Sequence, residues 1–409
     1  MGPLGIILAF LALGCATSHK PVVWTAQNAL RPAEAPDFAD DQDFAGLEQS
    51  LNDHIEYYRK SRKAKSVESL QFGPTTVPAE QYVQALESLR EQLKAASPEK
   101  VKKFLRERFT CHQVAGDGKW GEAFITSYFD PVFPASLKPT ARLSRPVYLV
   151  PKDMALIRLD EFRQVFPHWS IFNVTEQKSA TPLARGRIYK RSGVNFVVPY
   201  YSRFELDSLG LLRGQGYEIA YADPIDIFVM QIQGSGTLQL ANGKKIRVGY
   251  SAQNGHPYVP IGKFLKDRIK PEEMSLQAIE KVLRQMPPEE SQAIMDLNPS
   301  YVFFEVLKSE PRTTLGTVVR PGRTIATDRQ YFPKGTLAYV QFEKPIFPSA
   351  QAEQPQSWLP VGRLVIDQDT GGAIRGTGRL DLYWGRGDEA KQAAGVMKQW
   401  GKLCYLVPR

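Results

Sequence analysis

The sequence predicts a mainly-β protein, built as barrels, with helices at its periphery. Three observations carry this reading. From about residue 120 onward, short runs rich in β-branched and aromatic residues are separated by turn residues, the texture of packed sheets. Thr237–Leu240 and Lys244–Val248 alternate around Asn242-Gly243, a strong hairpin signal. Ahead of residue 110, by contrast, apolar residues recur at helical spacing.

The chain has 409 residues, 43% of them hydrophobic and 11% aromatic, enough for one large or two ordinary domains with their own cores. That composition excludes wholesale disorder. Beyond the N-terminus no apolar stretch approaches the ~20 residues of a membrane-crossing helix, which excludes a polytopic helical membrane protein. The net charge is +9, but the cations are scattered, as in Lys60, Arg62 and Lys63 or Lys102 and Lys103. No dense basic arm forms, so nucleic acid is not the expected partner. Bacterial cell wall, with its carboxylates, is another polyanion that suits a basic protein.

Taken in order, Ile6 to Leu13 is a short apolar run followed at once by Gly14-Cys15. It is too brief to span a bilayer but suits the core of a secretory signal. A small residue before cysteine is the pattern of a bacterial lipoprotein signal over residues 1–14, with Cys15 as the acylated residue. An ordinary signal or a buried strand is the alternative. Position −3 is Ala12, and no Lys or Arg precedes the run. No aspartate follows the cysteine to favour inner-membrane retention. Residues 15–43, rich in Pro, Ala and Asp, read as a tether.

Three helices are then expected within residues 44–131. Phe44, Leu47, Leu51, Ile55 and Tyr58 share one helical face, as do Tyr82, Leu86, Leu89 and Leu93. Ser97-Pro98 pairs a capping residue with proline at the first helical position, ahead of Val101, Phe104 and Leu105. Strands follow at Ala123–Tyr128, Val147–Val150, Asn195–Val198 and Ile225–Ile232. A helical interlude from Ser275 to about Leu297 is broken by Pro287-Pro288. Strands resume at Tyr301 and run through Leu337–Phe342, Arg363–Ile366 and Leu403–Val407.

Apart from Cys15 the chain contains two cysteines, Cys111 and Cys404, either a pair in an oxidising compartment or two buried thiols. The histidines show no metal-ligand spacing with one another or with cysteine, so neither a metal nor another cofactor is expected.

The densest chemical signal is Asp367-Gln368-Asp369-Thr370-Gly371-Gly372, followed by Arg379-Leu380-Asp381-Leu382-Tyr383-Trp384-Gly385. A strand entering a double glycine turns sharply, and Asp369 and Asp381 flank that turn at a spacing that returns them to one pocket. Glycosidic cleavage uses such carboxylates beside aromatic platforms. The bland alternative is a pair of turn aspartates capping backbone amides. Gln231-Ile232-Gln233-Gly234-Ser235-Gly236 resembles a phosphate loop only loosely, because it leads into a strand. A polar strand end that bonds sugar hydroxyls is the other reading. Ser235 lacks the Gly-x-Ser-x-Gly elbow of a serine hydrolase. Asn254-Gly255-His256-Pro257-Tyr258 reads as a turn, with His256 structural.

Read together with Thr126-Ser127-Tyr128-Phe129-Asp130-Pro131, Val198-Pro199-Tyr200-Tyr201-Ser202-Arg203, Asn298-Pro299-Ser300-Tyr301 and Gly322-Arg323-Thr324-Ile325-Ala326-Thr327-Asp328, these segments occur in one order. That order closely resembles the membrane-bound lytic murein transglycosylase A family over about residues 120–409. Ser127 and Phe129 stand where the family's Thr-Gly-Tyr-Tyr segment has glycine and tyrosine. The resemblance implies a double-psi β-barrel assembled from two chain segments, residues 44–131 and 305–409. A second β-barrel domain would be inserted over 132–304, with a sugar strand in the groove between.

The resemblance also implies cleavage of the MurNAc–GlcNAc β-1,4 bond of peptidoglycan without water, leaving 1,6-anhydromuramyl ends. Asp381 falls on the acid/base, Asp369 beside it as an orienting or pKa-adjusting carboxylate, and Asp328 is a weaker third candidate. Thr126, Tyr128, Gln233, Gly234, Ser235 and Tyr383 are the expected saccharide contacts. The expected setting is an outer-membrane lipoprotein facing the periplasm of a Gram-negative bacterium, partnered with glycan strands, the membrane through a lipid anchor, and cell-wall synthesis or division proteins. A two-carboxylate muramidase and a non-catalytic wall-binding barrel are the rival expectations.

Overall fold

The computed structural model describes residues 23–63, 66–168, 183–308, 310, 312–372 and 374–409. Cys15 and the signal-like run lie outside them. The chain opens with strand β1 (Leu30–Ala33), helix α1 (Leu47–Lys63), a hairpin of β2 (Ser69–Phe72) and β3 (Thr75–Pro78), and helices α2 (Ala79–Ala95) and α3 (Pro98–Arg108). Strands β4 (Phe109–Val114) and β5 (Glu122–Asp130) follow. The middle of the chain holds β6 (Val132–Ser136), β7 (Arg145–Tyr148), β8 (Met154–Arg158), α4 (Leu159–Val165), β9 (Leu183–Arg191), β10 (Val194–Pro199) and α5 (Arg203–Asp207). It continues through β11 (Glu218–Ala222), α6 (Pro224–Gln233), β12 (Ser235–Leu240), β13 (Lys245–Gln253), α7 (Leu276–Gln285), α8 (Pro288–Asp296) and β14 (Val302–Val306). The last part comprises β15 (Thr324–Ala326), β16 (Thr336–Ile346), β17 (Ser357–Asp369), β18 (Arg379–Arg386), α9 (Asp388–Val396) and β19 (Lys398–Pro408).

The fold is mainly β. Strands β19, β16, β17, β15, β18 and β5 pair in that order, and β5 pairs back onto β19, so six strands close a barrel. Two of its pairings are parallel, β15 with β17 and β18 with β5. One strand comes from before residue 131 and five from after 323, so the barrel forms only when distant segments meet. Its strands bury Ile125, Ile325, Leu337, Val340, Val365, Ile366, Leu380, Leu382 and Leu403 within the barrel or beneath the elements packed on it, each at most 2% exposed. Closure leaves these strands no free edge of their own.

The N-terminal helices bury the predicted faces against this barrel. Leu47, Leu51, Ile55 and Tyr58 of α1 and Tyr82, Leu86 and Leu89 of α2 join the barrel residues in one core. Tyr58 donates to the Lys334 carbonyl at 2.8 Å, and the Tyr82 hydroxyl accepts from the Leu337 amide at 2.8 Å. Pro98 opens α3 as expected, but the Ser97 side chain makes no cap bond.

The middle segment builds a second sheet, ordered β14-β13-β12-β6-β11-β7, with a parallel bridge between Leu149 and Phe304 at its two ends. The predicted hairpin is present as β12 and β13, with Gly243 at φ +82° in its turn. Strands β8 to β10 form a separate three-stranded sheet. Cys111 and Cys404 are disulfide-bonded, joining β4 to β19.

Two expectations are corrected. Ile225–Ile232 is not a strand but the body of helix α6, whose buried face includes Ile225, Ile227, Phe228, Val229 and Met230. A short, continuously apolar run has no period that separates strand from helix. The deciding signal was Asp223-Pro224: the Asp223 side chain accepts from the Ile225 and Asp226 amides, and proline occupies the first helical position. The second correction concerns the tether. From Leu30 on, the segment belongs to the folded body: β1 pairs with β4, and Phe38 is fully buried. Arg323 donates to both oxygens of the buried Asp40 at 2.6 and 2.9 Å, and Arg363 grips Asp41 at 2.7 and 2.6 Å. Asp40 and Asp41, two of the acidic residues that gave the segment its linker-like composition, are counter-ions for Arg323 and Arg363.

Candidate active site

Parallel pairing of β18 with β5 sets Asp381 opposite Thr126 and Tyr383 opposite Tyr128. Side chains two apart share a strand face, so Thr126 and Tyr128 line up beside Asp381 and Tyr383. Strand β15 lies on the other side of β18 and presents Ala326, which pairs with Asp381 on one flank and Asp369 on the other. The two carboxylates thus sit one strand apart on either side of a methyl-sized residue, with their backbones about 10 Å apart at ordinary strand spacing. The sequence expectation that the double-glycine turn returns them to one region is met.

Their surroundings differ. Asp369 accepts from three donors: the Tyr128 hydroxyl at 3.0 Å, the Thr370 amide at 2.9 Å and the Thr314 amide at 3.2 Å. Asp381 accepts from the Thr126 hydroxyl alone among the described residues. Burial pushes the Asp381 carboxyl up to about 6; Arg379 and the Thr126 bond oppose the shift, while the neighbouring charge of Asp369 reinforces it. Burial raises Asp369 too, against its hydrogen bonds and the positive charge of Lys334. An acid near 6 is able to give and retake a proton close to neutrality, the property that general acid–base work requires.

Tyr128 links Asp369 to Tyr383. Its hydroxyl holds Asp369, and its ring lies 5.1 Å from the ring of Tyr383. Tyr383 is only 5% exposed, so it backs Tyr128 rather than offering a wide face of its own. Trp384 packs toward the core against Phe342.

The Gln-Gly-Ser-Gly segment is the end of α6 and the start of β12. Gly234 caps the helix at φ +81°, a conformation that favours glycine. The Gln233 side-chain oxygen accepts from the Phe129 amide at 3.0 Å, next to Tyr128. Ser235 donates to Asp130 at 2.9 Å, and Arg386 holds the other oxygen of that buried aspartate at 2.6 Å. These residues are therefore joined to the end of β5 that carries Thr126 and Tyr128.

Asp328 is not part of the pair. It accepts from the Gln330 amide at 3.1 Å and the Gly376 amide at 2.9 Å, the turn-capping role available to any loop aspartate. Asn254 bonds the Tyr201 and Pro299 carbonyls at 2.8 Å and the Tyr301 amide at 2.9 Å, tying three of the sequence motifs together. His256 contacts the Tyr200 carbonyl at 2.8 Å, a structural role. Among the described residues no group of His, Cys, Asp and Glu is placed to hold a metal ion.

Arg379 was not expected. Its Nη2 donates to Thr126 Oγ1 at 2.5 Å, and its charge acts on Asp381 two residues away. The signal was present in Arg-x-Asp-x-Tyr, where alternate residues of one strand share a face.

The family model of the MltA specific insert domain matches residues 124–305, and that of the 3D domain matches residues 323–407. The membrane-bound lytic murein transglycosylase A of Vibrio cholerae serotype O1 is 29% identical over 299 residues, 72% of this chain and 68% of that protein. Its Escherichia coli K12 counterpart is 35% identical over 195 residues, 46% of this chain and about half (52%) of that protein. The crystal structure of membrane-bound lytic murein transglycosylase from Agrobacterium tumefaciens superposes with a TM-score of 0.69 at 26% identity, covering 90% of this chain and 93% of that one. With both domain models matched in order and the fold shared along nearly its whole length, the chain belongs to the membrane-bound lytic murein transglycosylase A family of murein-degrading enzymes.

Proposed function

We propose that this protein cleaves the MurNAc–GlcNAc β-1,4 bond of peptidoglycan and leaves 1,6-anhydromuramyl ends, with Asp381 as acid and then base. The observation that carries the reading is the contrast within the pair: Asp381, raised to about 6, has one hydroxyl donor, whereas three donors hold Asp369. Asp381 gives its proton to the leaving oxygen as the C1–O bond breaks. The C6 hydroxyl oxygen then bonds C1, and its proton returns to the same carboxylate. No water is consumed and no second catalytic carboxylate is needed, unlike in ordinary glycoside hydrolases. Asp369 acts as a fixed negative neighbour that helps keep Asp381 protonated.

Thr126, Tyr128, Gln233, Gly234 and Ser235 line the approach to the acid, with Tyr383 behind Tyr128, an amide-hydroxyl-aromatic set suited to pyranose rims and faces. The closed barrel with two parallel pairings supports the double-psi description, and the Leu149–Phe304 bridge supports closure of the inserted sheet into a second barrel. A lipid on Cys15 would place the enzyme on the outer membrane facing the periplasm. The disulfide fits such an oxidising compartment, and the membrane-bound relatives fit the anchor. The test is mass spectrometry of the soluble products from purified sacculi. Anhydro-ended muropeptides support the proposal; products heavier by one water identify a hydrolase, and binding without release identifies a non-catalytic module.

A further inference from the structure

We propose that Arg379 is a positioning residue that, through Thr126, fixes which oxygen of Asp381 carries the transferable proton; this rests on the reading of Asp381 as the acid/base. A threonine hydroxyl has one hydrogen and two lone pairs, and a guanidinium donates only. Arg379 Nη2, at 2.5 Å, occupies one lone pair of Thr126 Oγ1. Among the described residues the only other partner of that hydroxyl is Asp381 Oδ1. If Oδ1 donated, the threonine hydrogen would have no acceptor in a part-buried site, which is costly. With Thr126 donating to Oδ1, the threonine hydrogen has its acceptor and the Arg379 N–H keeps its own. The proton of the acid form then resides on Oδ2, which has no hydrogen bond among the described residues and is free for the glycosidic oxygen. After the C6 hydroxyl has attacked, its proton returns to Oδ2, and the arrangement is restored without rotation of the carboxyl.

Arg379 is built to stay in place. Its Nη1 donates to the Phe124 carbonyl at 3.2 Å and the Leu380 carbonyl at 2.5 Å, and the guanidinium lies 5.4 Å from the Phe124 ring centre. The arginine therefore spans the parallel β5–β18 pair directly below the acid. A lysine supplies the charge but not the planar fork that serves these acceptors together.

The groups facing Asp381 fix the sign of the expected pH effect. Its own strand contributes Arg379, β5 contributes Tyr128, and β17 contributes Asp369 across β15, whose facing residue is Ala326. Lys398 of β19 pairs with Thr126 in register but is exposed. Arg379 is the cation that holds Asp381 down, so removing it raises the acid further. A mere loss of packing has no such signature.

The experiment measures kcat and KM against pH on soluble glycan strands for the full chain and for Arg379→Met, Arg379→Lys, Thr126→Val and Thr126→Ser. Arg379→Met is expected to lower kcat about 10–100-fold with KM within about twofold, and to move the basic limb to higher pH. Arg379→Lys should return the limb toward its original position while recovering only part of kcat. Thr126→Val should match the loss in Arg379→Met, Thr126→Ser should restore activity, and the double variant Arg379→Met/Thr126→Val should be no worse than Thr126→Val alone. An unmoved limb, or additive losses in the double variant, overturns the proposal. Should Arg379→Met fail to fold, Arg379→Lys and the two Thr126 variants still decide. An active Asp381→Asn would instead overturn the acid/base reading itself; an inactive one beside an unaffected Arg379→Met would overturn this proposal alone.

Discussion

Asp40 and Asp381 are both carboxylates tucked against the same barrel, yet their neighbours drive them in opposite directions. At Asp40, burial pushes the carboxyl up, but the Arg323 pair and the amides of Leu364 and Phe44 outweigh it, and the net shift is downward. At Asp381 burial prevails, because one hydroxyl and a guanidinium bonded elsewhere do not compensate it. Burial alone therefore marks nothing. At Asp40 the donors outweigh burial and the carboxylate serves as a clamp; at Asp381 they do not, and the carboxyl is available as an acid.

The largest expected effect would break this comparison outright if it failed. Asp381→Asn keeps the volume and removes the transferable proton, so turnover should fall about 10²–10⁴-fold while glycan binding, measured by cosedimentation with sacculi, persists. Asp40→Ala should do the reverse. Leaving Arg323 buried and unpaired should cost about 3–5 kcal/mol in denaturant unfolding, with the activity of the folded fraction retained.

Asp369→Asn sharpens the contrast. The supporting carboxylate raises its neighbour, so its neutralisation should lower the Asp381 pKa and shift the basic limb of kcat/KM to lower pH, with a smaller loss than in Asp381→Asn. An equal or greater loss would reverse the two roles.

Stability against pH separates the aspartates again. The folded pKa of Asp381 lies above its unfolded value, so the wild-type chain loses stability as pH rises from about 4 to about 6. Asp381→Asn lacks that loss and should have the higher Tm at pH 7, with the difference vanishing near pH 4. Asp40, held below its ordinary value, contributes stability that is present at neutral pH and lost as acid protonates it. At pH 7, thermal scans of Asp381→Asn and Asp40→Asn should therefore depart from the wild type in opposite directions. The smallest effect is that of Gln233→Ala, which removes the acceptor for the Phe129 amide and should weaken glycan binding without moving the pH profile. Unchanged binding would make that side chain purely structural.

What the sequence revealed follows the same division between local and distant partners. Asp369 and Asp381 were legible because a double-glycine turn and their spacing are local features, and the three N-terminal helices because helical spacing is local. The role of Arg379 was not, because it depends on the register between β18 and β5, across which Arg379 bonds Thr126, 253 positions away. Asp40 and Asp41 read as linker residues for the same reason: their partners, Arg323 and Arg363, lie in the barrel's second chain segment. Helix α6 was misread because its apolar run lacks a period, although its Asp-Pro start was visible. Gln233 reaches β5 through its bond to the Phe129 amide, but from a helix end rather than a strand.

The most direct test of the central claim is kcat/KM for release of anhydro-ended products by the wild-type protein as a function of pH. The free enzyme must hold Asp381 protonated to begin the reaction, so kcat/KM should be level at lower pH and fall about tenfold per unit above about 6. A profile that stays level through pH 8 would contradict the assignment of Asp381 as the acid that starts the reaction.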